Sequence, residues 1–431
     1  MRHASIFRRG ACAALLALTS LAAAGCGGLF DIENPGEILD DDLNDPDLIP
    51  VILTGLSSDF SDIVDQLALD VGRSSDEMAG TGSYTATGLF RRGILDPDEV
   101  EYEWEQAHEA RWMAEIHLER IRNLIPDTFD GSRHVARAYL FMGHANRILG
   151  DNYCEVSYDG GPLVPRDSAF RRAITAFNDV LAHADTSPDL ATAAHGGLAQ
   201  AYLGLGDWAQ ATQHAAMVAT DFEFVALYDD NDDDNQVWVE THGRPEMSAF
   251  MTLAGSYDPP EVRAPYTACG VYDANGNVVS TGAGCPAQGA DGQNPHWRQE
   301  KYSSVNDDIP VVKGAEMRLI EAEAALRAGD LTTFTGRIND VLTFYGLGPI
   351  SEPASAGALE YPNAYDDAWS ILDRERHLTL WVEGRRQWDL ERWDHPFLQG
   401  GGIIYTGEAQ RDRCRPIPTS ECVVNENIPC S

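Results

Sequence analysis

The chain has 431 residues, 43% of them hydrophobic and 23% charged, a balance that supports two or three ordinary domains or one extended helical array rather than a disordered chain. Its formal net charge of −37 excludes nucleic acid and anionic headgroups as partners held by charge. What remains is a partner that is neutral, cationic or a protein.

The first 25 residues form a processing segment. Arg2, Arg8 and Arg9 precede the apolar run AALLALTSLAAA at 13–24, which is too short for a permanent membrane span, and Gly25-Cys26 offers a small-residue cleavage site. Cleavage removes three arginines and leaves an even more acidic chain. Residues 26–50, rich in Gly, Pro, Asp and Asn, are expected to be a tether.

Helical periodicity starts at 51–68 and is clear over 99–125, where Trp104, Ala107, Trp112, Ile116 and Leu118 fall on shared faces. Three later segments, 134–151, 191–219 and 313–330, each give an alanine-rich helix that closes on Gly-Asp. The glycine is expected to end the helix in a left-handed conformation and the aspartate to cap the next one. In the middle copy Leu198, Ala199, Tyr202, Gly206, Asp207, Trp208 and Ala211 fall at the spacings of a tetratricopeptide helix pair. The expected architecture is all-α: tetratricopeptide-like helix pairs over 134–223 and 313–393, a loop-rich insertion over 224–308 and a tail over 394–431. Residues 51–431 are expected to form a single domain.

The insertion carries Gly, Pro, Asn and Asp throughout, with strand-like fragments QVWVE and GNVVS, and it carries Trp238, Tyr257, Tyr266, Tyr272, Trp297 and Tyr302. Flat rings on loops can stack on sugar faces while polar neighbours bond the hydroxyls; equally, they can fill a small core under a long loop. Trp238 and Trp297, with Tyr257 and Tyr266 nearby, are the candidate ligand platform. The acidic run DDNDDDN at 229–235 offers carboxylates for a calcium ion but lacks the glycine of an EF-hand loop, so a solvated loop competes with that reading. No other cofactor is expected. Cys154, Cys269, Cys285, Cys414, Cys422 and Cys430 allow up to three disulfides. The local pairing Cys269 with Cys285, and a pair among the three tail cysteines, close the loops that most need it. Metal binding is disfavoured, because no CxxC spacing or histidine pair accompanies them. HExxH, GxSxG and Walker motifs are missing from the sequence, and an enzyme is not expected.

The segment RERHLTLWVEGRRQWDLERW, 374–393, reads as one helix ending before about Asp394. Its spacing sets Arg385 between Trp381 and Trp388 and pairs Glu383 with Arg386 and Asp389 with Arg392. Gly384 in its interior implies close packing against the backbone.

Several of these segments resemble one family. ILDRERHLTLWVEGRRQWDLERW at 371–393 is similar to the C-terminal pattern of the SusD/RagB outer-membrane nutrient-binding lipoproteins, as is KYSSVNDDIPVVKGAEMRLIEAEAALRAGD at 301–330. Arg415-Pro416-Ile417-Pro418 with Glu421, ARAYLFMGHANRILGDNYCEVSYDGGPLVP and Ser75-Asp76-Glu77 follow the same pattern, with Lys313 standing where the family usually has arginine. LAAAGC resembles a bacterial lipobox, with Ala23 where leucine is commonest. The resemblance implies lipidation at Cys26, transport to the outer membrane because Gly27 rather than aspartate follows, and a TonB-dependent SusC-like barrel as partner. It also implies an oligosaccharide or other nutrient as ligand. A tetratricopeptide scaffold lipoprotein for envelope assembly, binding a protein partner, is the competing reading.

Overall fold

The computed structural model describes residues 38–183, 187–230, 233–361, 365–400 and 410–429. The lipidation position Cys26 and the tail cysteine Cys430 lie outside the described residues. Residues 46–431 form one compact unit; in the other, Asp42–Asn44 make a 3-10 turn.

The opening helix α1 (Ile49–Ser74) carries Pro50 in its first turn, where the missing N–H has no helical acceptor to lose, and buries Leu53, Leu56, Phe60, Ile63 and Leu67 along its length. After the short α2 (Thr85–Phe90), α3 (Glu101–Leu124) buries Trp104, Ala107 and Leu118 but leaves Trp112 half exposed. The face expected to include Trp112 is therefore narrower than the sequence suggests.

The helix pairs follow. Against α4 (Arg133–Asn152) packs α5 (Asp167–His183), and against α5 packs α6 (Pro188–Gly204), which pairs in turn with α7 (Trp208–Ala215). Two phenylalanines of α5 explain how closely these helices approach. Phe177 sits between Gly143 of α4 and Gly197 of α6, and Phe170 sits between Gly150 and Gly204 of the same helices. A Cβ on Gly150 would lie 2.7 Å from the Phe170 ring, so small residues at these positions are a packing requirement.

That packing corrects one expectation. Gly150 and Asp151 do not end a helix: α4 runs through both to Asn152, and Asp151 forms an ion pair with Arg147 one turn earlier. The other two Gly-Asp pairs behave as expected. Gly206 (φ +71°) and Gly329 (φ +77°) are left-handed, and the carboxylates of Asp207 and Asp330 accept from the N–H groups of Gln210 and Thr333 at 3.1 and 2.9 Å. Asp330 thereby joins α8 (Gly314–Arg327) to α9 (Leu331–Phe344), where Phe334 is fully buried.

The segment 374–393 is not one helix. It splits into α10 (Ala368–Thr379) and α11 (Arg386–Arg392), separated by a turn in which Val382 and Gly384 take φ of +51° and +70°. A Cβ on Gly384 would meet the backbone nitrogen of Ala68 in α1 at 3.3 Å, so both the conformation and the close approach call for glycine. The break redirects the charges. Arg385 bonds Asp151 at 2.7 Å and Glu316 at 3.0 Å instead of lying between Trp381 and Trp388. Glu383 pairs with Lys301 and Lys313 rather than Arg386. The pair Asp389–Arg392 does form, at 2.7 Å. Burial favours neutral groups, and these charges stay buried because each finds an opposite partner from a distant part of the chain.

The cysteines are also redistributed. Cys269 bonds Cys285 as expected, but the tail residue Cys414 bonds Cys154 across 260 positions, which ties the tail to the end of α4. Cys422 is disulfide-bonded too. A short terminal helix, α12 (Thr419–Val424), follows.

Candidate functional site

The insertion is built from two-stranded ribbons and turns. Strand Tyr266–Ala268 pairs antiparallel with Trp297–Gln299, with Ala268 opposite Trp297 and Tyr266 opposite Gln299. Tyr266 and Trp297 are thus diagonal neighbours on one face, within reach of aromatic side chains. Their rings are parallel, 5.1 Å between centroids with 3° between planes. Phe250 meets Trp297 edge-on at 5.3 Å and Tyr272 at 5.7 Å, so four rings form one partly exposed cluster.

Hydrogen bonds hold three of the four rings in place. The Trp297 indole donates to the Gly270 carbonyl at 2.8 Å, and the Tyr266 hydroxyl donates to the Tyr257 carbonyl at 2.7 Å. The Tyr272 hydroxyl lies 3.2 Å from the Gln293 carbonyl. Gly270 itself has the Ala287 carbonyl against the position a Cβ would take, and the disulfide Cys269–Cys285 closes the adjoining hairpin, in which Gly270–Tyr272 pairs with Val278–Ser280. Burial raises the pKa of both Tyr257 and Tyr266, which keeps their hydroxyls protonated at neutral pH. Such a cluster offers aromatic surface and neutral polar groups, with little freedom left to lose on binding.

Three of the four platform candidates, Trp297, Tyr266 and Tyr257, come together here. Trp238 does not join them. Its ring stacks on His242 at 5.3 Å, and QVWVE is helical rather than a strand: Gln236–Trp238 form one helical turn that continues as a π-turn over Val239–Gly243. The Asn235 side chain starts that turn by accepting from the Trp238 N–H at 3.1 Å, a capping role that overrides the β propensity of the valines. Phe250, which completes the cluster, is a lone aromatic in its segment and carries no local signal.

The calcium candidate at 229–235 includes positions 231–232, which lie outside the described residues. Of the remainder, Asp233 accepts from Ser58 at 2.7 Å, and Asn235 donates to the Asp307 carbonyl at 2.7 Å. Cys154, Cys414 and Glu391 are close together, but both sulfurs are spent in their disulfide.

Below the ribbon lies a cavity of about 470 Å³ lined by Arg263, Glu300, Lys301, Tyr302, Lys313 and Tyr345 among others. Its cations are engaged. Lys301 and Lys313 share Glu383 at 2.5 and 2.8 Å, and Arg263 bonds Glu375 at 2.6 Å. Burial pushes Lys301 down to about 8, whereas for Lys313 the attraction of Glu383 outweighs burial and holds the ammonium charged. Lys313 therefore fills its place in the fold as a paired cation although arginine is expected there.

Residues 264–421, which include Tyr266, Tyr272, Trp297, the paired lysines and the broken helix α10–α11, match the SusD family. The SusD/RagB resemblance read from the sequence is upheld over this segment. No curated protein matches it in sequence. Solved SusD-like structures match it in fold. A SusD-like protein from Bacteroides fragilis superposes with a TM-score of 0.68 at 14% identity, covering 90% of this chain and 97% of its own. A SusD superfamily protein from Bacteroides vulgatus gives 0.61 at 14%, over 89% and 98%. A structure from the same species described as a SusD-like carbohydrate binding protein gives 0.58 at 13%, over 89% and 97%. The expected all-α, SusD-like architecture is the one observed. No helix among the described residues is long and apolar enough to cross a membrane.

Proposed function

We propose that this protein captures a glycan, or a nutrient of similar hydroxylated chemistry, on the aromatic cluster of its insertion. The observation that carries the proposal is the parallel pair Tyr266–Trp297, fixed by hydrogen bonds at a partly exposed surface beside a disulfide-closed hairpin. The apolar face of a sugar ring packs against such a surface, and adjacent carbonyls and side-chain amides accept and donate to its hydroxyls. A family neighbour described as carbohydrate binding points to the same ligand class. The activity is binding rather than catalysis: the cluster joins aromatic rings whose polar atoms are spent on backbone carbonyls, with no nucleophile and base brought together on it.

In the same reading the chain is anchored by lipid at Cys26 on the outer face of the outer membrane and hands its ligand to a TonB-dependent SusC-like barrel. The lipobox-like LAAAGC and the match of residues 264–421 to the SusD family support this arrangement. Two experiments test the two halves. Isothermal titration of the full mature chain against an oligosaccharide panel should find a ligand whose affinity falls on Trp297→Ala; a panel without a binder removes the glycan reading. Native purification from membranes in detergent should bring down a TonB-dependent barrel, and a purification without one removes the delivery step.

A further inference from the structure

The sequence has two lysines against 29 arginines, and both lysines line the cavity of about 470 Å³ below the ribbon. Elsewhere the buried ion pairs, such as Arg385–Asp151 and Arg386–Asp76, are made with arginine. A guanidinium stays charged at every relevant pH, whereas an amine can lose its proton and attack an electrophile. Two amines at one oxygen of Glu383 therefore set this cavity apart from every other ion pair in the interior.

The two amines are not equivalent. Lys313 is buried, and Glu383 at 2.8 Å, the Thr379 carbonyl at 2.8 Å and the Tyr345 hydroxyl hold its ammonium. Lys301 keeps 15% of its side-chain surface exposed, and Glu383 at 2.5 Å and the Trp381 carbonyl at 2.6 Å take two of its three bonding directions. As a neutral amine it keeps both bonds as a donor and has its lone pair in the third direction. Burial, with the Lys313 charge adding to it against the attraction of Glu383, lowers the Lys301 pKa to about 8, so about a tenth of it is neutral at pH 7. A desolvated lysine beside a second cation is an arrangement that makes an amine nucleophilic.

The rest of the wall narrows the electrophile. Glu223, Glu300, Asp307 and Asp308 also line the cavity, and Arg263 is already bonded to Glu375, so an anionic carbonyl compound is disfavoured while hydroxyls find acceptors. We propose that Lys301 is a covalent binding site for a small neutral hydroxylated aldehyde, such as the open-chain form of a small sugar, held as a Schiff base. The lone pair of Nζ forms a bond to the carbonyl carbon as the π pair of the C=O bond moves to oxygen. The two amine hydrogens then transfer to that oxygen, the first by way of Glu383, and it leaves as water while the nitrogen pair closes the C=N bond. The step consumes no oxidant, and water reverses it. The proposal does not depend on the aromatic cluster.

Glyceraldehyde with sodium cyanoborohydride, which reduces the imine to a stable secondary amine, tests it on the full mature chain at pH 7, read by peptide mass mapping. Lys301 should be labelled at least about tenfold faster than Lys313. It should also be labelled at least about tenfold faster in the folded chain than in chain unfolded by guanidinium chloride, where both amines return to the ordinary lysine pKa. A lysine buried for structure alone would show the reverse order. Glyoxylate, an anionic aldehyde, should show a smaller preference for the folded chain than glyceraldehyde does. The proposal is overturned if Lys301 is labelled no faster folded than unfolded, if Lys313 is labelled as fast, or if glyoxylate shows the larger preference. Each comparison uses the parent chain, so none depends on a variant that folds, and none of these results bears on the test of Trp297→Ala.

Discussion

Arg386 grips Asp76 with both arms of its guanidinium, Nε at 2.6 Å from Oδ1 and Nη2 at 2.8 Å from Oδ2, while Nη1 reaches Asp373 at 2.6 Å. All three side chains are buried, and the bond joins residues 310 positions apart. Arg386→Ala would remove the cation that two buried carboxylates share and should cost about 3–5 kcal/mol. Arg386→Lys keeps the charge but loses the planar fork, so it should recover only part of that loss. Guanidinium unfolding of the purified chain measures both; a loss under about 1 kcal/mol for the alanine variant would contradict the account.

The platform predicts a contrast between two tryptophans. Trp297 lies in the parallel stack with Tyr266, and Trp238 lies on His242 outside it. Trp297→Ala should lower affinity for the identified oligosaccharide at least about tenfold, whereas Trp238→Ala should change it less than about twofold. Titration calorimetry with both variants, after their thermal unfolding is matched to the parent, decides between this arrangement and a platform centred on Trp238.

Two glycines should respond in opposite ways to alanine. At Gly384 the backbone is left-handed and the Ala68 backbone lies close, so Gly384→Ala should cost about 1–2 kcal/mol. Gly88 lies inside α2 with open space around its missing Cβ, and Gly88→Ala should be neutral or stabilising by up to about 1 kcal/mol. Denaturant midpoints give both signs directly.

His296 predicts a pH dependence. It is fully buried, its Nε2 lies 3.1 Å from the Thr241 carbonyl, and burial lowers its pKa from 6.5 to about 4. Between those values the unfolded chain binds a proton at this residue and the folded chain does not. Its contribution is therefore fully present above pH 6.5 and is lost as pH falls toward 4, by about 3 kcal/mol in all. His296→Gln should unfold with a weaker pH dependence across that window, because the other titrating groups are common to both proteins. Equal slopes for the two proteins would show that His296 does not titrate this way.

The helix pairs were legible because their signals are local. Gly206-Asp207 and Gly329-Asp330 specify a left-handed stop and a cap within a few residues. Gly150-Asp151 carries the same letters but answers to distant partners, the Phe170 ring and Arg385, so its helix continues. The same reason hides the break between α10 and α11: spacing along 374–393 suggests pairs within one helix, while the ions find better partners at Asp76, Asp151, Glu316 and Lys313. In the insertion the sequence named Tyr266 and Trp297, but their stacking follows from a strand register that no short pattern reveals. Phe250 enters by the same route.

The bond between Cys154 and Cys414 encloses helices α5 to α11 together with the whole insertion. A protease that cuts any exposed loop between those two cysteines would produce two pieces still joined covalently, and they would separate only after reduction. For a protein whose working surface is built from long loops, a nicked chain can thus remain one molecule.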